Sequence, residues 1–215
     1  MKAAYIAIDS ADGAGKDFQA DLLVKAFAAA DIPCQIINEP HATDDGKVLY
    51  DMATKGDANR WSAFAEACLW TAARNKANIT YTQPALAEGR WVITHRSPLT
   101  TLAYQAYGKG MDIDLCRTMQ NAAMERAPDF YLILDVAPEV GMARKSIQKG
   151  EDNLDRFERE GLPLQERVRN ALLKEVSLTG KPYQIIDANA DKATVHNAIL
   201  TAINTRFGTN LQPSL

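Results

Sequence analysis

The sequence predicts an α/β fold, a five-stranded parallel sheet with helices on both faces, formed by a single domain over residues 1–215. Three observations carry that prediction. Five short apolar runs alternate with stretches in which apolar residues recur at helical spacing. The first run ends in a glycine loop with a lysine, Ser10 to Asp17, that opens directly into a helix. Ser10, Glu39, His95 and Asp135 fall at or just beyond the carboxyl ends of predicted strands, where open parallel sheets bind their ligands.

In chain order, the first strand is the Ile- and Ala-rich run from Tyr5 that stops at the carboxylate of Asp9. Phe18, Leu22, Leu23, Ala26, Phe27 and Ala30 then recur at helical spacing until Asp31-Ile32-Pro33 stops the helix. Cys34 to Ile37 reads as a buried second strand ending at Asn38-Glu39-Pro40, and Thr43 to Gly46 as a polar loop. Asn59 to Ala77 is a predicted helix with Trp61, Phe64, Ala65, Cys68, Leu69 and Ala72 on one broad inward face. Trp91 to Thr94 is the third strand. Leu99 to Gly110 holds a short helix and Asp112 to Arg126 a longer one. Phe130 to Val136 is the fourth and most hydrophobic strand. Pro138 starts a helix with Val140, Ala143 and Ile147 facing inward. Lys149 to Pro163 is charged, lacks an apolar stripe and is bounded by glycines, which reads as a mobile segment. Leu164, Val168, Leu172 and Val176 return to helical period. Tyr183 to Ile186 is the fifth strand, and Val195, Ile199, Ile203 and Phe207 line a last helix.

The bulk properties narrow the function. A net charge of −3 argues against extended nucleic-acid binding, so any phosphate recognition comes from local basic clusters. No apolar run approaches the ~20 residues of a membrane span, and no charged-then-apolar leader opens the chain. Cys34, Cys68 and Cys116 are widely spaced in apolar contexts without C-x-x-C spacing, which reads as reduced core residues. The expectation is a soluble, cytoplasmic protein.

The loop after the first strand carries the chemistry. Gly13 and Gly15 let backbone N–H groups turn inward, the helix start adds partial positive charge, and Lys16 adds a full one. Such a loop suits a polyphosphate; the plain alternative is a glycine turn leading into an ordinary helix. Against the pattern G-x-x-x-x-G-K-[ST], Gly15-Lys16 is intact, but Ser10 stands for the first glycine and Asp17 for the hydroxyl that ligates Mg²⁺.

Several further blocks, in order, resemble the thymidylate kinases, phosphate-loop nucleoside monophosphate kinases. They are the loop itself, Asn38-Glu39-Pro40, Leu69 to Arg74, Gln83 to Leu86 and Gly89 to Ile93. His95-Arg96 with Thr100 to Gln105 follows, then Pro128-Asp129, Leu134 to Val140 and Leu154 to Glu158. The resemblance covers residues 4 to 207. It implies a homodimer, ATP and Mg²⁺ as cofactors, and phosphorylation of dTMP to dTDP. A related kinase acting on another deoxynucleotide, such as dUMP or a modified pyrimidine, and a catalytically weakened nucleotide-binding homologue remain as alternatives.

The same resemblance implies roles residue by residue. Ser10, Ala11, Asp12, Gly13, Ala14, Gly15, Lys16, Asp17, Phe18 and Arg144 would hold ATP. Arg96 would grip the acceptor monophosphate with its planar fork, the bland alternative being a surface ion pair. Trp70 would stack on the base, or simply pack in the core, and Arg74 would reach a base carbonyl. Thr101 would meet the pyrimidine edge, Tyr104 and Gln105 the sugar and base, with Tyr104 crowding the 2′ side. Glu39 and Asp12 would fix water, metal or the 3′-hydroxyl. Some members carry an arginine at the position of Gly13, so here a lid over about 144–163 must supply that charge. Arg156 is the first candidate, beside Arg144, Lys149 and Arg159; a solvated charged helix end is the alternative. The family's strand-three aspartate is His95. We expect compensation, with Asp17 and Asp12 supplying the metal's carboxylates, against the alternative of a decayed site.

Overall fold

The computed structural model describes residues 2–57, 59–149 and 155–213. Its sheet has five parallel strands in the order β2-β3-β1-β4-β5, with β1 at Tyr5–Asp9, β2 at Cys34–Asn38, β3 at Trp91–His95, β4 at Phe130–Asp135 and β5 at Tyr183–Asp187. The predicted α/β class holds. The three inner strands are buried, as continuous Val/Ile/Leu runs require when both faces are covered. β2 and β5 are the edges, so β2 is only half-buried and β5 largely exposed, where the sequence reading had placed buried strands.

Helices α1 (Lys16–Ala29) and α9 (Lys192–Phe207) cover one face around Leu23, Phe27, Trp91, Ile199 and Ile203. On the other face α8 (Leu162–Leu178) joins a π-helical segment, Leu102–Gly108, around Tyr104, Tyr131, Leu164 and Val168. Thr43 to Gly46 is no loop. Thr43 caps α2 (Asp44–Thr54), its Oγ1 accepting from Gly46 N at 2.9 Å, with Asp44 and Asp45 in the favourable first turn.

Helix α3 is Ala63–Ala77, capped by Ser62, and starts later than its predicted Asn59. Its orientation also differs from the prediction. The inward face is Glu66, Ala67, Ala73, Arg74 and Ala77, while Phe64, Cys68 and Ala72 point outward with Ile79 beyond them. Helix periodicity located a stripe correctly but assigned it to the wrong side, because buried Glu66 and Arg74 find charged partners indoors. Cys68 is accordingly exposed and Cys34 half-buried, and only Cys116 is buried as predicted. Short helices α4 (Gln83–Ala87) and α5 (Pro98–Thr101), then α6 (Ile113–Ala123) and α7 (Pro138–Lys149), complete the described elements. Val140 and Ile147 on α7, predicted inward, are exposed, and Ile147 lines the site cleft. Part of the predicted mobile segment, residues 150–154, and the side chain of Lys149 lie outside the described residues.

Candidate active site

The carboxyl ends of β1, β2, β3 and β5 open on one cavity of about 680 Å³, whereas Asp135 at the end of β4, expected at the same crevice, is held by Arg169 and does not line it. One end is walled by the glycine loop, α1, α7 and residues 188–195; the other by α2, α3, α5 and the Leu102–Gly108 segment. Gly13 and Gly15 take φ of +79° and +83°, a region where a side chain is strained, so the loop requires glycine there. A Cβ on Gly13 would also lie 2.0 Å from the Gly141 carbonyl oxygen, and one on Gly141 would lie 2.3 Å from that of Asp12. Helix α7 thus lies backbone-to-backbone on the loop. The arginine that some related loops carry at this position has no room here.

Lys16 is buried, its Nζ donating to Ser10 Oγ at 2.6 Å and to the Ala11 carbonyl at 3.4 Å. Burial, with Arg96 nearby, lowers its pKa to about 7 despite the pull of Asp12 and Asp17. Ser10 and Ala11 lie beneath the loop and do not line the cavity.

Asp12 is the hub. It accepts from Arg96 Nη2 at 2.9 Å, Tyr104 Oη at 2.9 Å and Gln165 Nε2 at 3.3 Å, while its own N–H donates to Gln165 Oε1 at 3.2 Å. Burial would raise its pKa, but Arg96 and Lys16 outweigh that and hold the carboxyl well below its usual range. With its oxygens so occupied, Asp12 organises Arg96 and Tyr104 at the cavity wall. Arg96 sits at φ +69°, left-handed backbone for a non-glycine residue, at the cavity mouth. Among the described residues its buried Nη1 has no hydrogen-bond partner, so the guanidinium keeps a donor for an anion.

Asp17, a departure from the loop pattern, touches His95 at the end of β3: His95 Nδ1 and Asp17 Oδ1 are 3.0 Å apart. That hydrogen bond, ahead of burial in weight, holds the Asp17 carboxyl below its usual range. His95 is buried, whereas the Asp17 side chain is largely exposed to the cleft.

At the other end, Arg74 donates through Nε to Glu39 Oε2 and through Nη1 to Thr101 Oγ1, both at 2.8 Å, and to Gln120. Burial pushes the Glu39 carboxyl up to about 7 against the pull of Arg74. An aromatic row, His41, Tyr50, Trp70, Phe157 and Tyr104, runs along the wall with neighbouring ring centroids 4.0 to 6.1 Å apart. Gln105 and Thr101 line the same half. Of the predicted cations, Arg144 reaches the cavity, its guanidinium donating to the carbonyls of Ala188 and Asn189 at 2.7 and 3.0 Å. Arg156 does not. Its guanidinium is fully buried against Glu66 Oε1 at 2.5 Å and the Ala53 carbonyl, a correction whose cause is the competing carboxylate on α3. Arg159 donates to the Gly56 carbonyl, outside the cleft wall. Lys145, beside Arg144, lines the cleft in their place.

Sequence reasoning missed Gln165, Gln120 and Glu66. Each is a polar residue on the buried face of its helix, a signal present in the periodicity.

A glycine loop with a buried lysine, set at the strand ends of a parallel sheet and facing an arginine across one cleft, defines a phosphate-loop nucleotide-binding protein of the nucleoside monophosphate kinase class. Comparison with known proteins is more specific. The profile of the family described as thymidylate kinase matches residues 8–199, and the chain belongs to that family. It is 33% identical over 204 residues to the thymidylate kinase of Ruegeria pomeroyi, covering 93% of this chain and 96% of that one. It is 32% identical to the thymidylate kinases of Jannaschia sp., with 96% and 99% covered, and Pelotomaculum thermopropionicum, with 94% and 93%.

Proposed function

We propose that the chain transfers the γ-phosphoryl group of ATP to dTMP, giving dTDP and ADP. The observation that carries this reading is the shared hub. Arg96 and Tyr104 meet on the carboxylate of Asp12, which belongs to the same loop that presents Lys16. Two phosphate-bearing guests in the two halves of the cavity would therefore meet between one lysine and one arginine. Phosphoryl transfer asks for this kind of positioning and charge neutralisation. An oxygen of the acceptor monophosphate bonds to the γ-phosphorus as the bridging bond to the β-phosphate breaks, and ADP leaves.

In this reading the loop, Lys16, Phe18 and Arg144 hold ATP, and the lid over about 144–163 starts on the last turns of α7. Gly13 cannot admit a side chain, so Arg144 and Lys145 bring cationic charge on a helix already seated on the loop. Trp70 stacks on the acceptor base. Thr101 and Gln105 supply polar contacts, and Tyr104 crowds the 2′ side of the sugar. Arg74, held by Glu39 and Gln120, presents a fixed guanidinium beside them.

The donor set suits a hard divalent ion at one residue: Asp17 offers an exposed carboxylate at the loop's end, oriented by His95. Bound with ATP, Mg²⁺ would neutralise charge on the β- and γ-oxygens. Asp17 and His95 thus exchange the pattern's hydroxyl and carboxylate positions for a carboxylate and an imidazole. The outward apolar stripe of α3, Phe64, Cys68 and Ala72, is where a second copy of the chain would pack. A coupled assay across the common deoxynucleoside monophosphates tests the assignment. dTMP should be turned over most efficiently in the presence of ATP and Mg²⁺; preference for dUMP would reassign the acceptor, and binding without turnover would make the protein a silent homologue.

A further inference from the structure

Glu66 sits fully buried in the first turn of α3, a position where the helix dipole favours negative charge, yet it touches neither phosphate-binding group. Its two oxygens are occupied from three directions. Oε1 accepts from Arg156 Nη2 at 2.5 Å and Lys109 Nζ at 2.9 Å, and Oε2 accepts from Gln105 Nε2 at 2.9 Å. Lys109 also pairs with Glu160 at 2.6 Å, so among the described residues the two carboxylates are joined through one lysine. Arg156 and Glu160 bracket the segment that follows α7, whereas Lys109 and Gln105 belong to the π-helical stretch and its end.

Phe157 lies between the two anchors. One of its neighbours is Trp70, with centroids 6.0 Å apart, and another is Tyr104, at 5.9 Å edge-on. The cations of Lys109 and Arg156 lie 4.4 and 4.5 Å from its ring. Glu66 therefore holds the Phe157 ring, between Trp70 and Tyr104, in place through its charge partners. It also sets the sense of Gln105. A carboxylate accepts only, so the amide nitrogen must face Glu66 and the carbonyl Oε1 must turn the other way. Among the described residues that oxygen has no partner.

We propose that Glu66 is a positioning residue for the acceptor pocket: through Arg156 it fastens the segment 155–160, with Phe157, to α3, and it fixes Gln105, so that ring and amide are set together for the acceptor. This rests on the reading that this half of the cavity takes a nucleoside monophosphate. ATP, at the other end, makes no use of the cluster.

The test compares equilibrium binding of dTMP and of ATP to the full chain and to Glu66→Gln, Arg156→Gln and the double variant. Each single change leaves an uncompensated buried charge or donor and should weaken dTMP about tenfold or more, with ATP affinity unchanged within about twofold. The double variant should lose no more than the worse single, because the two changes remove one interaction. Equal loss for both nucleotides, or no loss for dTMP, overturns the proposal. A second measurement needs no variant: dTMP should slow amide hydrogen exchange across residues 155–160 of the unaltered protein, and unchanged exchange there also overturns it. Failure of the unaltered chain to bind dTMP would instead remove the acceptor reading beneath it.

Discussion

Seating of helix α7 on the glycine loop can be separated into two costs by three substitutions. Gly15→Ala adds a side chain at φ +83° with nothing within 4 Å, so it pays only left-handed backbone strain, about 1–2 kcal/mol. Gly141→Ala has no positive φ, but its Cβ would lie 2.3 Å from the Asp12 carbonyl oxygen. It carries overpacking of about 1–3 kcal/mol, reduced by up to about 1 kcal/mol of gained helix propensity. Gly13→Ala combines both, at φ +79° and 2.0 Å from the Gly141 oxygen, and should cost about 2–5 kcal/mol. Urea unfolding measures the three against the unaltered chain. ATP binding gives a second readout, because a displaced α7 carries Arg144 and Lys145 away from the cleft. Gly13→Ala and Gly141→Ala should therefore weaken ATP, and the former should be the least stable of the three. If Gly13→Ala loses no more stability than Gly15→Ala, the helix does not rest on the loop in solution and the lid assignment loses its support.

Other consequences can be checked separately. With its pKa near 7 in the free protein, Lys16 is partly neutral above that pH and becomes fully charged against ATP phosphates. ATP binding should take up a proton and weaken as pH rises beyond 7, read by calorimetry in buffers of differing ionisation heat; Lys16→Met should abolish the uptake. The same depressed pKa means that the unfolded chain binds more protons, so Lys16 makes stability rise with pH between about 7 and the ordinary lysine value, which urea midpoints would show. Glu39, raised to about 7, has the opposite sign and lowers stability as pH climbs from about 4.5 to 7; Glu39→Gln should flatten that part of the profile. Exchanging the pair, as Asp17→Thr with His95→Asp, should retain Mn²⁺ binding in the ATP complex measured by electron paramagnetic resonance. Asp17→Thr alone should lose it, because it leaves an imidazole and a hydroxyl and no carboxylate at either position. Phe64→Glu should leave a monomer by analytical ultracentrifugation if α3 forms the contact between copies.

The strands and most helices were legible because parallel-sheet strands are short apolar runs and amphipathic helices repeat every 3.6 residues. The polar ends of those strands marked the cleft for the same topological reason. What could not be read was which way a helix faces when its buried side is charged. Apolar periodicity sent Phe64 and Cys68 inward on α3, although Glu66 and Arg74 hold the interior through Arg156, Lys109, Glu39 and Gln120. Arg156 illustrates the same limit from the other side. An arginine in a charged segment near the site looks like a catalytic cation until a buried carboxylate from a distant part of the chain claims it. The substitutions at Asp17 and His95 were legible as departures from the expected pattern, whereas their hydrogen bond to each other was not, because it depends on how β3 lies beside the loop.

The most direct test uses one ligand in which adenosine and thymidine are joined end to end by a polyphosphate chain. It should bind once per protein chain, displace both ATP and dTMP, and lose affinity in both Lys16→Ala and Arg96→Ala, since each cation grips one side of the same bridge. Displacement of only one nucleotide, or indifference to either substitution, would place the two cations in separate sites and contradict the shared cleft.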